Sequence, residues 1–304
     1  MKHLIILLIG VWFTTYPAIA QESNWQLIIL GMAQDAGYPQ AGCKKSCCEA
    51  FWQGRNEKQH ATCLGLLNTS SKKAWLFEAT PDIKDQLHVL DSMKYNLAGI
   101  FLTHAHIGHY AGLIHLGREV MGTKEIPIYA MPKMKFFLEN NGPWSQLVTL
   151  NNILINELQN EQSISLGEDL KITPFLVPHR DEYSETVGYT ISSSNASILF
   201  IPDINKWKTW NKNLADEIKK VDYALLDAAF FADGELPGRD MSKIPHPFTT
   251  ETMELLKDLP DDEKSKVHFI HFNHTNPAMF ESEERNRVFG NGFNIVKEGM
   301  IIGL

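Results

Sequence analysis

Short apolar runs recur along the chain and are separated by amphipathic or turn-rich segments. Residues 25–31, 97–102 and 197–201 are dominated by Ile, Leu and aromatic side chains, which predicts buried β-strands. Residues 132–140 have helical spacing of apolar positions, and Gly, Pro and Asn mark many of the turns. This alternation predicts a mixed α/β protein.

The same patterns predict the other elements. Further strands are expected at residues 62–67, 73–77, 126–130, 148–157, 162–174, 186–191, 222–227 and 267–271. Further helices are expected from residue 82 to about residue 93 and at 109–121, 205–221 and 250–259.

The most informative stretch follows the strand at 97–102. It reads FLTHAHIGHYAGL over residues 101–113 and contains His104, His106 and His109. His104 and His106 are two apart in a turn, so both rings can face one side, and His109 opens the predicted helix. Three converging imidazoles suit zinc, iron or manganese, whereas one His alone would favour an unrelated loop residue.

This stretch resembles the HxHxDH signature of the metallo-β-lactamase fold superfamily. The resemblance implies an αβ/βα four-layer sandwich, with two mixed sheets between outer helices and metals at one sheet edge. Gly108 stands where the family usually has Asp, a ligand of the second metal. One tight metal, a weak second metal, or a second metal completed by another residue would each fit this departure. Gly108→Asp is then expected to raise the affinity for the second metal.

The first twenty residues have the pattern of a secretory signal. Lys2 precedes an apolar stretch at 4–13, which is short for a membrane span, and Ala18-Ile19-Ala20 matches a cleavage site. An uncleaved membrane anchor is the alternative. We expect residues 1–20 to be removed and the mature protein to be periplasmic or secreted, without a stable membrane anchor.

Composition restricts the remaining choices. The 304 residues are 44% hydrophobic and carry a formal net charge of −8, which indicates a folded core and argues against binding nucleic acid by general electrostatics. No repeat or Pro/Gly-rich linker divides residues 21–304, so a single domain is predicted. The sequence is silent on oligomeric state.

Three of the four cysteines, Cys43, Cys47 and Cys48, lie within six residues. In an oxidising compartment a disulfide is one interpretation, although adjacent Cys47 and Cys48 could bridge each other only with strain. A zinc site that needs one more ligand is the other interpretation. Cys63 lies in an apolar run and is expected to be a buried thiol.

The cysteine loop and its neighbours resemble two branches of the superfamily. These are the pyrroloquinoline quinone biosynthesis protein B group and the phosphoribosyl cyclic phosphodiesterases, which carry a cysteine-bound structural zinc. Their spacing is closer to CxCxxC than to the CxxxCC found here. The HxxH of the second branch implies that His274 joins the cysteines at that zinc.

The resemblance also assigns the distant ligands. It implies that His179 joins His104 and His106 at the first metal, and that His271 joins His109 at the second. It makes Asp203 the bridging carboxylate that steers or deprotonates the reacting water. From the residues alone, Asp203 could instead cap the following helix, and His179 could be a solvated loop residue.

Four further positions have roles that the sequence leaves open. Glu78 or Asp82 could accept an N–H from a ligand histidine, with a helix cap as the alternative for Asp82. Arg239 and His246 lie in a long loop and could meet an anionic group of the substrate, or be ordinary surface residues. His246 is kept with Asp203 as a candidate catalytic residue.

Together these features predict a metal-dependent hydrolase of a small-molecule phosphodiester or ester. One or two zinc ions are expected at the catalytic site, where iron or manganese also suit the ligands, and one structural zinc at the cysteines. The alternatives are an oxygen-dependent role like that of the quinone-cofactor group, and a binding protein without turnover. His104 and His106, which the quinone-cofactor group commonly lacks, favour the hydrolase.

Overall fold

The computed structural model describes residues 24–167 and 169–304. The predicted signal segment, residues 1–20, lies outside the described residues. Within the described ranges, no helix combines the length and apolar character needed to cross a membrane.

The described strands form two seven-stranded sheets with the orders β14-β1-β2-β3-β4-β5-β6 and β13-β12-β11-β10-β9-β8-β7. The first contains β1 (Trp25–Gly31), β2 (Cys63–Asn68), β3 (Lys73–Phe77), β4 (Asn96–Phe101), β5 (Ile126–Ala130), β6 (Ile153–Glu157) and β14 (Ile301–Gly303). The second contains β7 (Ile164–Ser165), β8 (Lys171–Leu176), β9 (Val187–Ser192), β10 (Ser197–Ile201), β11 (Tyr223–Asp227), β12 (Val267–Ile270) and β13 (Asn294–Ile295).

The helices are short. They are α1 (Ser46–Trp52), α2 (Ile83–Ser92), α3 (Ile107–Tyr110), α4 (Pro132–Asn140), α5 (Trp144–Thr149), α6 (Leu214–Ile218), α7 (Thr249–Leu255), α8 (Asp261–Lys264) and α9 (Glu283–Gly290). Turns of 3₁₀ helix occupy Ala111–Leu116, Trp207–Thr209, Met241–Lys243 and Pro277–Met279.

The main core lies between the two sheets. Phe77 of β3 stacks on Phe101 of β4 at 5.0 Å between ring centroids and meets Tyr189 of β9 and Phe200 of β10 edge-on. Each buried ring contributes roughly 1.5–3 kcal/mol of transfer free energy. Because successive strand residues face opposite sides, Leu76 points to the outer layer of helices instead. The four-layer sandwich is confirmed.

Two of the predicted strands are shorter in the structure. Val148 and Thr149 belong to α5, so only the second half of the strand predicted at 148–157 forms. The segment 162–174 divides into β7 and β8 around Gly167, whose φ of +133° breaks the extended backbone.

Two predicted helices also differ. Residues 109–121 form the end of α3 and a 3₁₀ turn, and a Cβ at Gly112 would lie 2.1 Å from the Thr80 carbonyl oxygen. The segment 205–221 divides into a 3₁₀ turn and α6, which Asn213 caps by accepting the Asp216 N–H.

The topology brings several strand ends to one edge of the sandwich. β3, β4 and β5 are parallel neighbours in one sheet, and β10, β11 and β12 are parallel in the other. Their carboxyl ends lead into the loops that carry acidic and histidine side chains. The residues that end these strands or follow them within three positions include Glu78, Thr103, His104, Asp203, Asp227 and His271.

Candidate metal centres

Glu78 positions the histidine loop, which carries His104, His106 and His109. It is fully buried, and its Oε1 accepts the hydroxyl of Thr103 at 2.5 Å. The Thr103 oxygen lies 2.9 Å from Nδ1 of His104. Because the hydroxyl proton goes to Glu78, the Thr103 oxygen accepts the Nδ1–H of His104, and the Nε2 lone pair of that ring faces the pocket. Of the two acids considered from the sequence, Glu78 orients the loop.

His106 is oriented from the opposite side. Its Nε2 lies 3.2 Å from Oε2 of Glu182, and its Nδ1 lies 2.8 Å from Nε2 of His104. The Nδ1–H of His104 is donated to Thr103, and the Nε2–H of His106 is donated to Glu182. The lone pairs on the two remaining nitrogens therefore face each other at 2.8 Å. That arrangement is repulsive unless a cation or proton lies between them.

Asp203 lies at the centre of the pocket. Its Oδ2 is 3.2 Å from Nε2 of His104, and its Oδ1 is 3.1 Å from Nε2 of His179 and 3.3 Å from Nδ1 of His246. Neither ring nitrogen of His179 has a hydrogen-bond partner among the described residues. The helix-cap interpretation of Asp203 is wrong, because α6 begins only after Asn213.

Burial and neighbouring charge separate the protonation states in this pocket. Burial, with the charge of His109, lowers the pKa of His104 well below its ordinary value, which favours the neutral form that a metal requires. Burial alone would raise the pKa of Asp203, but the charges of His179 and His246 outweigh it and hold that pKa well below the usual range.

A second group of donors adjoins the first. His109 and His271 are almost fully buried, and Nε2 of His109 and both ring nitrogens of His271 lack hydrogen-bond partners among the described residues. Asp35, from the loop after β1, places Oδ1 3.9 Å from Nε2 of His109. One ligand atom of each residue lies within 4.8 Å of the other two.

His246 forms a pair with Asp227. Its Nδ1 lies 2.8 Å from Oδ2 of Asp227, whose oxygens also accept the N–H groups of Ile204 and Ala229. The other ring nitrogen of His246 lies 3.4 Å from Nε2 of Gln34. Three donors thus engage the carboxylate of Asp227, which holds His246 in place.

The carboxylates around His109 and His246 favour the protonated forms of these two side chains. Burial opposes this for His109, but Glu78, Asp203 and Asp35 together raise its pKa to about 9. Burial likewise opposes protonation of His246, and Asp227 and Asp203 raise its pKa to about 9.

The cysteine cluster has a different set of donor residues from this pocket. Cys43, Cys47, Cys48 and His274 place their ligand atoms within 4.8 Å of one another. All four cysteines of the chain are free, and Sγ of Cys43 is 3.9 Å from Sγ of Cys47. Nδ1 of His274 has no hydrogen-bond partner in the described structure. Three thiols and one imidazole at this spacing fit a closed zinc site.

Both donor sets therefore fit metal ions. Buried imidazole nitrogens and a carboxylate oxygen of Asp203 lack hydrogen-bond partners among the described residues, and such groups are costly unless a ligand satisfies them. The His/Asp set suits zinc, iron or manganese, whereas the Cys/His set suits zinc. Metal binding is supported, and the number of ions stays a prediction.

Comparison with known families decides the classification. Residues 74–272 match the Beta-lactamase superfamily domain. The chain belongs to the beta-lactamase superfamily. The resemblance read from the histidine motif is confirmed, and the matched range includes His104, His179, Asp203 and His271.

Relatives within this superfamily extend over nearly the whole chain. A coenzyme PQQ synthesis protein B from Methylorubrum extorquens is 24% identical over 311 residues, covering 91% of this chain and 99% of that protein. The protein of the same name from Pseudomonas savastanoi pv. phaseolicola is 26% identical over 317 residues, with the same coverage.

Solved structures support the same fold. Zinc-bound PqqB from Methylobacterium extorquens superposes with a TM-score of 0.78 at 21% identity, covering 92% of this chain and 100% of that chain. A diphosphatase from the PhnP family superposes with a TM-score of 0.63 at 19% identity, covering 92% and 97%. At these identities the likeness shows the fold alone.

The structure brings together all the histidines, cysteines and the aspartate proposed as ligands from the sequence. They fall into four sets, some of which share members: His104, His106, His179 and Asp203; Asp203 and His271 with Asp227 and His246; His109 and His271 with Asp35; and Cys43, Cys47, Cys48 and His274. Their role as ligands in this superfamily member stays a prediction. Arg239 is exposed and belongs to none of these sets.

The structure changes the expectation for one acid and adds two acids that the sequence analysis missed. Asp82 neither orients the histidine loop nor caps α2 with its side chain, since it accepts the Ala61 N–H and pairs with Lys58. Asp35 and Asp227 received no role from the sequence. An acid that ends a buried strand next to Asp203 was the available signal for Asp227, whereas nothing local marks Asp35.

The packing around Gly108 argues against the expected effect of Gly108→Asp. A Cβ at Gly108 would lie 2.4 Å from Cα and 2.6 Å from the carbonyl oxygen of Asp35. Any side chain at this position would have to displace the backbone of the loop after β1, so it could not simply add a ligand.

Proposed function

We propose that this protein is a metal-dependent hydrolase that cleaves a phosphodiester or ester of a small molecule. The observation that carries the proposal is the convergence of His104, His106 and His179 on Asp203, with the Asp227–His246 pair beside them. This combines a metal-binding face with a proton-carrying group in one buried pocket.

Each residue has a distinct task in this proposal. His104, His106 and His179 hold the first metal, and His109 and His271 hold the second. Asp203 lies between the two sets and orients the reacting water. When bound, a divalent metal lowers the pKa of water towards about 7 and polarises the scissile bond.

His246 donates a proton to the leaving group. Asp227 fixes the Nδ1–H of the ring, so the opposite nitrogen is the one free to exchange a proton. Asp203 is 3.3 Å from the same ring, which keeps the proton donor next to the water-orienting carboxylate. General acid assistance of this kind contributes about 10²–10⁴-fold to the rate.

An open groove, lined in part by residues that follow His246 in the chain, offers room for a small substrate. It is lined by Lys206, Lys208, Trp207 and Phe248, and Phe248 follows His246 by two residues. Lys206 lies over the Phe248 ring at 3.6 Å and pairs with Glu251, whereas Lys208 is exposed. Asp233 and Glu251 also line the groove, so its charges are balanced, and its apolar wall suits the organic part of a small substrate.

The test uses the mature protein loaded separately with zinc, manganese or iron(II). Bis(p-nitrophenyl) phosphate, p-nitrophenyl acetate and a chromogenic lactam are offered to each form under anaerobic conditions. We expect metal-dependent hydrolysis of the phosphodiester above that of the lactam. Absence of hydrolysis of all three compounds by fully loaded protein would contradict the proposal.

A second candidate is a step in the synthesis of a quinone cofactor. The similarity to coenzyme PQQ synthesis protein B over 91% of the chain favours it. The resemblance implies an oxygen-dependent reaction at iron. Oxygen uptake by the iron-loaded protein with a quinone precursor, without hydrolysis of esters or phosphodiesters, would favour this candidate.

We also propose export to the periplasm or outside the cell, on the strength of the signal-like pattern at residues 1–20. Free thiols at Cys43, Cys47 and Cys48 would be protected from oxidation there by a bound zinc. Cell fractionation together with the N-terminal sequence of the purified protein tests this, and an uncleaved cytoplasmic chain would contradict it.

A further inference from the structure

The second metal position of this chain lacks the carboxylate that the superfamily motif normally supplies at position 108. Gly108 has no side chain, yet His109 and His271 are buried beside it, with ring nitrogens that have no hydrogen-bond partner among the described residues. Two imidazoles and the shared Asp203 would leave such a position short of one anionic ligand. The missing carboxylate has to come from elsewhere in the chain.

Asp35 lies where that carboxylate is needed. Its Oδ1 is 3.9 Å from Nε2 of His109, and Oδ2 of Asp203 is 3.8 Å from the same nitrogen. Asp35 contributes a ligand atom within 4.8 Å of those of His109 and His271. A metal about 2.1 Å from each donor requires donors roughly 3–4 Å apart, so small side-chain adjustments complete the set.

The backbone of the Asp35 loop occupies the space that a side chain at 108 would fill. The Cα, carbonyl carbon and carbonyl oxygen of Asp35 all lie within 2.8 Å of a Cβ built on Gly108. These are main-chain atoms, which cannot rotate away. The absence of a side chain at 108 and the approach of Asp35 are therefore two parts of one arrangement.

The loop is also tied to the strand end that carries His271. The Gln34 N–H donates to the Phe272 carbonyl oxygen at 2.8 Å, and the Phe272 N–H donates to Met32 at 2.9 Å. Asp35 follows directly, with a φ of +44°. These bonds fix the position of Asp35 relative to His271 before any metal binds.

We propose that Asp35 is the carboxylate ligand of the second metal and replaces the motif aspartate, and that Gly108 is required so that the Asp35 loop can approach. The inference rests on the proposed metal-dependent function only in saying what the second metal is for. Its evidence is the packing of the loop, and its test measures metal binding without any substrate.

The simplest alternative is that Asp35 serves only the turn. Asp and Asn tolerate positive φ better than most residues, so an acid in such a turn can have a purely conformational role. Asp35→Asn separates the two roles, because it keeps the shape and turn preference but removes the charged ligand. Glu125→Gln is a matched control, since Glu125 is an exposed acid with a φ of +52° outside every donor set.

The experiment is titration of metal-free protein with cobalt(II), followed by calorimetry and visible absorption, with total metal measured by mass spectrometry. Wild-type protein and Glu125→Gln should show two ions in the His/Asp pocket in addition to the cysteine site. Asp35→Asn should weaken the second pocket ion about 10–100-fold and leave the first unchanged. Gly108→Ala should do the same by displacing the loop.

Two results would overturn the inference. One is an Asp35→Asn variant that binds both pocket ions with wild-type affinity. The other is a wild-type protein that binds only one pocket ion even at saturating cobalt. Because hydrolysis is not part of the readout, a catalytically silent protein that still loses the second ion on Asp35→Asn would refute the hydrolase proposal and support this one.

Discussion

The His/Asp pocket and the Cys/His cluster are built in opposite ways. In the cluster, Cys43, Cys47 and Cys48 come from one turn and the start of α1, and only His274 is distant. The donors of the pocket come from the ends of several strands in both sheets. Folding of the whole sandwich is thus a condition for the pocket, whereas a few local contacts nearly complete the cluster.

The two regions also differ in burial and chemistry. Asp203, Asp227, His246 and His271 are all buried, whereas only Cys48 is buried among the cluster donors. Four protein donors would close the cluster around one zinc ion, as in structural zinc sites, whereas the pocket has more donors than one metal needs. From this difference we propose that the cluster stabilises a loop and that the pocket carries the chemistry.

The segment from His271 to His274 joins the two regions. His271 belongs to the pocket, His274 belongs to the cluster, and Asn273 donates to Gln34, which lies beside His246. A metal at the cysteines therefore fixes the end of β12 on which the pocket depends. The comparison can be tested by removing donors from one region at a time.

The largest expected effect comes from Asp203→Asn. This change removes the central charge shared by the histidines of the pocket while keeping the size of the side chain. Metal affinity of the pocket should fall by about 100-fold or more, with loss of hydrolysis, and the cysteine-bound metal should remain. Metal content per chain after dialysis checks this, with Asp233→Asn as a loop control. Full metal content would refute the central role of Asp203.

The paired variants His274→Ala and His271→Ala test the division of the HxxH segment. The first should release the cysteine-bound zinc and lower the Tm by about 5–10 °C, because the metal stabilises the loop. The second should retain that zinc and lose a pocket metal. His271→Asn accompanies it, since Asn tolerates the φ of +67° at this position. Release of the other region's metal by each variant would reverse the assignment.

His246→Gln should separate chemistry from binding within the pocket. If His246 serves as proton donor, hydrolysis should fall about 100-fold while both pocket metals remain. Kinetic assays and metal analysis of the same preparation check this. His268→Gln is the control, because His268 bonds to the Lys266 carbonyl and lies outside the donor sets. Loss of a metal from His246→Gln would make that residue a ligand.

Glu235→Gln should have the smallest effect, a change in how folding stability depends on pH. Glu235 accepts the Thr275 hydroxyl beside the cluster, and burial raises its pKa to about 6 from an ordinary 4.5. Its ionised form is disfavoured in the folded state, so stability is lost as the pH rises through this range. Relative to Glu235→Gln, wild type should lose about 1–2 kcal/mol between pH 4.5 and 7.5. Urea unfolding at both pH values checks this, and parallel changes in both proteins would contradict it.

Much of the fold follows from local patterns. Strands β1, β3, β5 and β10 and helix α4 match the predicted bounds, because each is an apolar or amphipathic run bounded by turn residues. The failures at 148–157, 162–174 and 205–221 lie where two short elements share one apolar pattern. Tertiary contacts decided there where each backbone turns.

The sequence by itself determined which residues carry the chemistry of the histidine motif and the cysteine turn, since their spacing is local. It also indicated His179, Asp203 and His271, because each follows an apolar strand and matches the superfamily. Only the tertiary structure placed Asp35 against Gly108 and Asp227 against His246. Those pairs are 73 and 19 residues apart, and their contacts depend on how β1 and β11 lie in the two sheets. No local pattern encodes such a distance, because packing of the sheets sets it.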